Sequence, residues 1–161
     1  MKLLVTCKPL KEKKALEEIL SLIFQIDAHA RVDEHQIKPG LFTVETKAKK
    51  EEIARILLKA RRSYIKKVIP VEMITRDLIA LKELIKKIEK GKRIAVRCSH
   101  RFGVSSKNVE ILLGNIAKSE GLNIDLENPD YVLIIEPVRD LYYASILSFL
   151  EYKILTGRKS I

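Results

Sequence analysis

The chain has 161 residues, 31 Lys and Arg against 21 Asp and Glu, a formal net charge of +10 and 47% hydrophobic residues. That is enough apolar material for one domain or two small ones, and no run of about 18 apolar residues exists to span a membrane. The positive excess selects a polyanion over a membrane surface, because no stretch pairs a basic face with large aromatic anchors.

Residues 3–7 read as a first strand, too short an apolar run for a signal segment before Lys8 and Pro9. A helix from about Leu10 carries Leu16, Ile19, Leu20 and Ile23 at helical spacing. Residues 28–35 alternate as a strand, Pro39-Gly40 signals a turn, and residues 41–46 form the next strand. A second helix presents Ile53, Ile56, Leu57 and Ala60, and residues 65–71 form a fourth strand. The order β-α-β-β-α-β predicts a ferredoxin-like domain over residues 1–73.

A new pattern begins near Met73. Thr75 as N-cap, Asp77 in the first turn and Gly91 at the end predict one helix with the stripe Leu78, Leu81, Leu84, Ile85, Ile88. A strand follows at residues 94–98. A helix from Ser105 or Ser106 to Ser119 then presents Val109, Leu112, Leu113 and Ile116. Residues 122–126 alternate, Asn128-Pro129-Asp130 signals a turn, and residues 131–136 and 141–145 pair as a hairpin. The second domain is expected over residues 74–150, in an α+β fold. The signal fades after Phe149, so residues 151–161 are set apart as a C-terminal tail, of which residues 156–161 read as a frayed, basic end.

The most informative stretch is residues 86–107. Eight Lys and Arg face one acid, Glu89, giving +7 within it. Strand alternation puts Arg93, Ala95, Arg97, Ser99 and Arg101 on one face. Arginine forks pair bidentately with phosphate oxygens. The helix beginning at Ser105 and Ser106, with Lys107 and Asn108 in its first turn and no acid before Glu110, offers free N–H groups to an anion. Phe102 and His100 are expected to stack on unpaired bases, and Gly103 to allow close approach. Lys92 and Arg93 extend the footprint. Taken singly these residues have plainer readings: a solvated strand edge, a core phenylalanine, ordinary helix caps. As a group they read as a nucleic-acid site.

Arg61, Arg62, Lys66 and Lys67 form a second basic group, either a further footprint or a solvated helix end. The acids Glu120, Asp125, Glu127, Asp130, Glu136, Asp140 and Glu151 suggest an acidic back to a bipolar surface. Cys7 and Cys98, with no CxxC pattern and no His at ligand spacing, argue against zinc and for a reducing, cytoplasmic setting. No Gly-rich phosphate loop, paired catalytic carboxylates or metal spacing is present, so no cofactor and no enzymatic activity of its own are expected.

The run Gly91-Lys92-Arg93-Ile94-Ala95-Val96-Arg97, then Arg101-Phe102, Ser105-Ser106, Gly114 and Ile124-Asp125-Leu126-Glu127-Asn128-Pro129-Asp130, resembles a THUMP domain. The preceding half resembles the ferredoxin-like domain that accompanies it. The resemblance implies binding of tRNA by its single-stranded 3′ end, through Arg97, Arg101 and the helix start at residues 105–108. Cys98-Ser99-His100 departs from the more basic residues of relatives. Because the chain stops where relatives carry a catalytic domain, it is similar to stand-alone THUMP proteins. Those imply a tRNA-presenting adaptor for a separate enzyme, a tRNA cytidine acetyltransferase. The alternatives are an RNA-binding subunit for a methyltransferase, thiouridine synthetase or pseudouridine synthase, or an enzyme in its own right.

Overall fold

The computed structural model describes residues 1–33 and 37–158, which divide into two compact units: Met1–Val71 with Glu151–Ile161, and Glu72–Leu150. In the first unit β1 (Lys2–Cys7), α1 (Glu12–Ile23), β2 (Arg31–Val32), β3 (Leu41–Glu45), α2 (Lys50–Lys59) and β4 (Ile65–Val71) follow in turn. The strands form one antiparallel sheet in the order β2-β3-β1-β4. This is the ferredoxin-like arrangement expected. Strand β1 lies between β3 and β4, which is why every residue from Leu3 to Cys7 is buried.

Helix α1 starts later than its apolar spacing suggested. Leu10 sits at φ 64 and is 91% exposed, so the chain turns there before Glu12. The buried face is Ala15, Ile19 and Ile23. Strand β2 is shorter than residues 28–35, and positions 34–36 of that expected strand lie outside the described residues.

The second unit holds β5 (Met73–Thr75), a 3₁₀ turn (Leu78–Leu81), α3 (Lys82–Ile85), β6 (Arg93–Cys98), α4 (Ser106–Ser119), β7 (Asn123–Ile124), β8 (Tyr131–Val138) and β9 (Leu141–Ser148). Its sheet runs β5-β9-β8-β6-β7, with β6 parallel to both β7 and β8 and a β8–β9 hairpin. The layout is the mixed α and β one expected, with a parallel β7-β6-β8 part inside the sheet. Leu81, Leu84, Ile85, Val109, Leu113 and Ala117 pack with Ile94, Val96, Leu133 and Ile135 into one core. Each such fully buried aliphatic side chain contributes about 1.5–3 kcal/mol.

The single helix expected between Thr75 and Gly91 does not form. Thr75 ends β5, and its hydroxyl accepts a hydrogen bond from the Asp77 N–H at 3.0 Å. The Asp77 carboxylate then accepts from Ile79 N–H at 3.0 Å. These local bonds open a tight 3₁₀ turn in place of a full helix. The stripe survives because three-residue spans also keep Leu81, Leu84, Ile85 and Ile88 on one side. In α4, Leu112 is 39% exposed and Ala117 takes the buried place expected of it.

The first residues of the expected C-terminal tail are ordered. Residues Phe149–Leu155 form α5, and Tyr152, Ile154 and Leu155 are buried. Residues 159–161 of that expected tail lie outside the described residues.

Candidate nucleic-acid interface

Strand β6 carries the basic stretch and divides it. Lys92 and Arg93 stand at its first end, while Cys98 stands five residues further on, about 16 Å away at 3.3 Å per residue. The expected continuous site is therefore two separate places. At the first, Arg93 is committed to Asp130: its backbone N–H donates to the carboxylate at 2.8 Å, Nε at 3.4 Å and Nη2 at 3.1 Å. The guanidinium fork, then the Arg93 N–H, hold the Asp130 carboxyl below its usual value, and the nearby Lys92 charge adds to this. Arg93 is raised in turn by the same pairing. Its job is to pin the Asn128-Pro129-Asp130 turn, whose Asp130 N–H donates back to Arg93 O at 2.9 Å.

At the other end, residues 99–105 connect β6 to α4 past the carboxyl ends of the parallel strands β6 and β8, a usual ligand position in parallel sheets. Phe102 is half exposed and held at φ 52, with Gly103 at φ 73 beside it. His100, Lys107 and Asn108 are exposed and Ser106 is half-buried. Ser105 caps α4, its hydroxyl accepting from Asn108 N–H at 3.4 Å, and no acid occupies the first turn. That start leaves N–H groups and the positive helix end facing outward.

Arg101 has a second allegiance. Its Nε lies 3.6 Å from Glu136, whose side chain is 1% exposed, and Ser99 Oγ donates to the same carboxylate at 2.7 Å. The loop is thus anchored from below by a buried anion. Arg97 is half-buried, its Nη2 donating to Leu126 O at 3.0 Å. Glu110 turns back to accept from Cys98 N–H at 2.9 Å.

Five of the seven acids expected on a separate acidic back pair with cations instead. Asp130 and Glu136 neutralise arginines of the basic stretch itself, Glu120 pairs with Lys82 at 3.3 Å and Asp140 with Arg76 at 3.4 Å. In the first unit, Glu151 pairs with Lys50 at 3.6 Å.

The second basic group is partly structural as well. Arg62, Lys66 and Lys67 line a hollow of about 480 Å³ with Thr156 and Gly157, and Arg61 is exposed outside it. Arg62 donates to Ile154 O, and to Leu155 O and Lys66 O at 3.4 Å each, capping the last carbonyls of α5. Burial lowers its pKa, opposed by the charge of Glu18.

Four lysines that the sequence reading did not single out lie in this unit: Lys8, Lys11, Lys13 and Lys14 are all exposed around the start of α1. Lys14 stands 5.3 Å over the Tyr64 ring, and Lys8 N–H donates to Tyr64 O at 3.1 Å. Their density in seven residues was the available signal. Cys7 and Cys98 are not joined in a disulfide, and among the described residues no group of three or more His, Cys, Asp or Glu could hold a metal ion. No helix among them is long and apolar enough to cross a membrane.

Comparison with protein-family models gives no match, and comparison with curated protein sequences gives none. The fold has relatives. A protein of Pyrococcus horikoshii, PH1313, matches 91% of this chain at 16% identity and a TM-score of 0.60, over 55% of its own length. TrmN of Thermus thermophilus matches 90% at 18% identity and 0.58, over 44% of its length. A 4-thiouridine synthetase, solved as an RNA complex with bound ATP, matches 91% at 17% identity and 0.51, over 41% of its length. The chain therefore spans about half or less of each of these three structures. These likenesses correct the expectation of no enzymatic activity of its own. The same fold occurs inside a synthetase, so a missing catalytic motif in these residues does not argue against an enzymatic role.

Proposed function

We propose that this chain is an RNA-gripping module of tRNA modification, and that the β6–α4 loop is its grip. The observation that carries the reading is Phe102. A half-exposed aromatic held in left-handed backbone, beside an acid-free helix start, is an arrangement that favours an unpaired base stacked over a bound phosphate. The 4-thiouridine synthetase of the same fold was solved with RNA, which supports this choice of polymer.

In this reading Phe102 and His100 stack on bases at a single-stranded tRNA end. Lys107 faces phosphate, Arg101 orders the loop through Glu136, and Ser105, Ser106 and Asn108 shape the helix start. Lys92 lies outside this grip and Arg93 is held by Asp130, so both fall away as primary contacts. Arg61, Lys66 and Lys67, with the lysines of residues 8–14, form the surface for a longer RNA footprint.

Binding of fluorescent tRNA tests the reading. Phe102→Ala is expected to cost about 1–3 kcal/mol of affinity. Lys107→Ala is expected to weaken all tRNAs alike and flatten the salt dependence by about one unit of log K per log salt. Unchanged affinity in the Phe102→Ala, Lys107→Ala double variant would remove the grip from this loop. The finer reading is that the bound tRNA is presented to a cytidine acetyltransferase. It requires that wild-type chain, and not the double variant, raise acetylcytidine formation by that purified enzyme. Methyl transfer, thiolation or pseudouridine formation responding instead would reassign the chemistry and keep the grip.

A further inference from the structure

We propose that the groove between α4 and the β6–β7 edge docks an acidic amphipathic helix of a partner protein. The groove holds about 320 Å³ and lies within the second unit. Its apolar lining is aliphatic: Val96, Ile111, Ile124 and Leu126, with Ile111 and Leu126 each more than half exposed. No aromatic ring lines it, so it gives a base nothing to stack on but suits branched side chains of a protein.

Gly114 sits in the middle of the groove wall. A Cβ there would meet only the Ile124 Cδ1, at 3.9 Å, an ordinary contact, and its φ is not in the left-handed region. Neither packing nor backbone geometry explains a glycine inside a helix, where alanine is favoured. What the missing side chain does is keep the groove deep at its centre. Arg97 builds the opposite wall, its bond to Leu126 O holding that segment beside the groove.

Charge identifies the occupant. Arg97, Lys107 and Lys118 stand on the rim, and the one lining carboxylate, Glu110, is occupied by Cys98 N–H. The rim is therefore cationic around an aliphatic floor. Lys107 to Lys118 spans eleven residues, about 16 Å of helix, enough for three turns of a partner lying alongside. An acidic helix with aliphatic anchors at i, i+4 and i+7 matches both floor and rim. The rim shares Lys107 with the RNA grip, whereas Gly114, Ile111 and Lys118 play no part in that grip, so variants at those three positions test this inference separately.

Selection from a displayed library of random twelve-residue peptides, using the whole chain as bait, tests it. Expected winners carry helically spaced Leu, Ile or Met flanked by Asp and Glu. Gly114→Met and Lys118→Glu should each weaken a winner roughly tenfold or more, with circular dichroism confirming that both variants fold, while Gly114→Ala weakens it less than Gly114→Met. Peptide titration should shift the methyl NMR signals of Ile111, Ile124 and Leu126. No enriched peptides, winners without acids, or winners indifferent to both variants would overturn the proposal. So would an oligoadenylate that binds in place of peptide and is lost in Gly114→Met.

Discussion

Arg93 and Arg101 look alike in the sequence, and both turn out to face carboxylates, with different consequences. The Arg93–Asp130 pair is exposed and ties a turn to a strand. Asp130 is held below its usual value near 3.8, so its contribution to stability is present above that pH and is lost as pH falls through the lower folded value. Asp27, lowered chiefly by the Thr46 hydroxyl and the Lys47 N–H, behaves the same way. Stability should therefore fall below about pH 4, and Asp130→Asn should flatten that fall in thermal melts followed from pH 5 to pH 2. A steep fall retained in the variant would remove Asp130 from the account. Arg101 instead balances a buried anion. Arg101→Ala should cost about 2 kcal/mol of stability, since it removes the cation that faces the buried Glu136 carboxylate. A double cycle with Glu136→Gln should recover much of that loss, whereas simple additivity in denaturant melts would mean the two do not interact.

At the scale of elements, helix ends decide more than helix interiors. Arg62 gives α5 the hydrogen bonds its last carbonyls lack, so Arg62→Ala should destabilise by about 1.5–3 kcal/mol without changing the salt slope of RNA binding. Gly157 follows at φ 75, with Arg62 Nη1 and Lys66 O each 3.3 Å from where a Cβ would stand. Alanine there is both strained and crowded. Gly114 gives the opposite result: Gly114→Ala should stabilise α4 by about 0.5–1 kcal/mol, read as a higher urea midpoint. A midpoint that falls would mean the groove is part of the fold's own packing.

Across the whole molecule, the formal charge of +10 overstates the cations available to a polyanion. Arg93, Arg101, Lys82, Arg76 and Lys50 each lie against a carboxylate. The slope of log K for tRNA against log salt should therefore stay below what the cation count alone would give, near the number of phosphates met by His100–Lys107 and the lysines around α1. Deleting the charges of Lys8, Lys11, Lys13 and Lys14 together should lower the slope further if the first unit touches the same RNA. An unchanged slope would confine the footprint to the second unit.

Periodicity and turn chemistry were enough for much of the fold. The alternation of helical stripes with short strands, and the Asn128-Pro129-Asp130 turn, rest on local spacing that reads directly from residue order. So does the cap at Ser105, because a hydroxyl before an acid-free turn acts within three residues. Distant pairing is what sequence order leaves open. Arg93 meets Asp130 across 37 positions and Arg101 meets Glu136 across 35, and a charge count cannot tell a salt-bridged arginine from one left for phosphate. The split of the basic stretch along β6, the capping role of Arg62 and the open groove beside Gly114 follow from strand order and helix placement. Amino-acid order determined that the chain is basic and most of the order of its elements; the tertiary structure decided which of its charges are already in use.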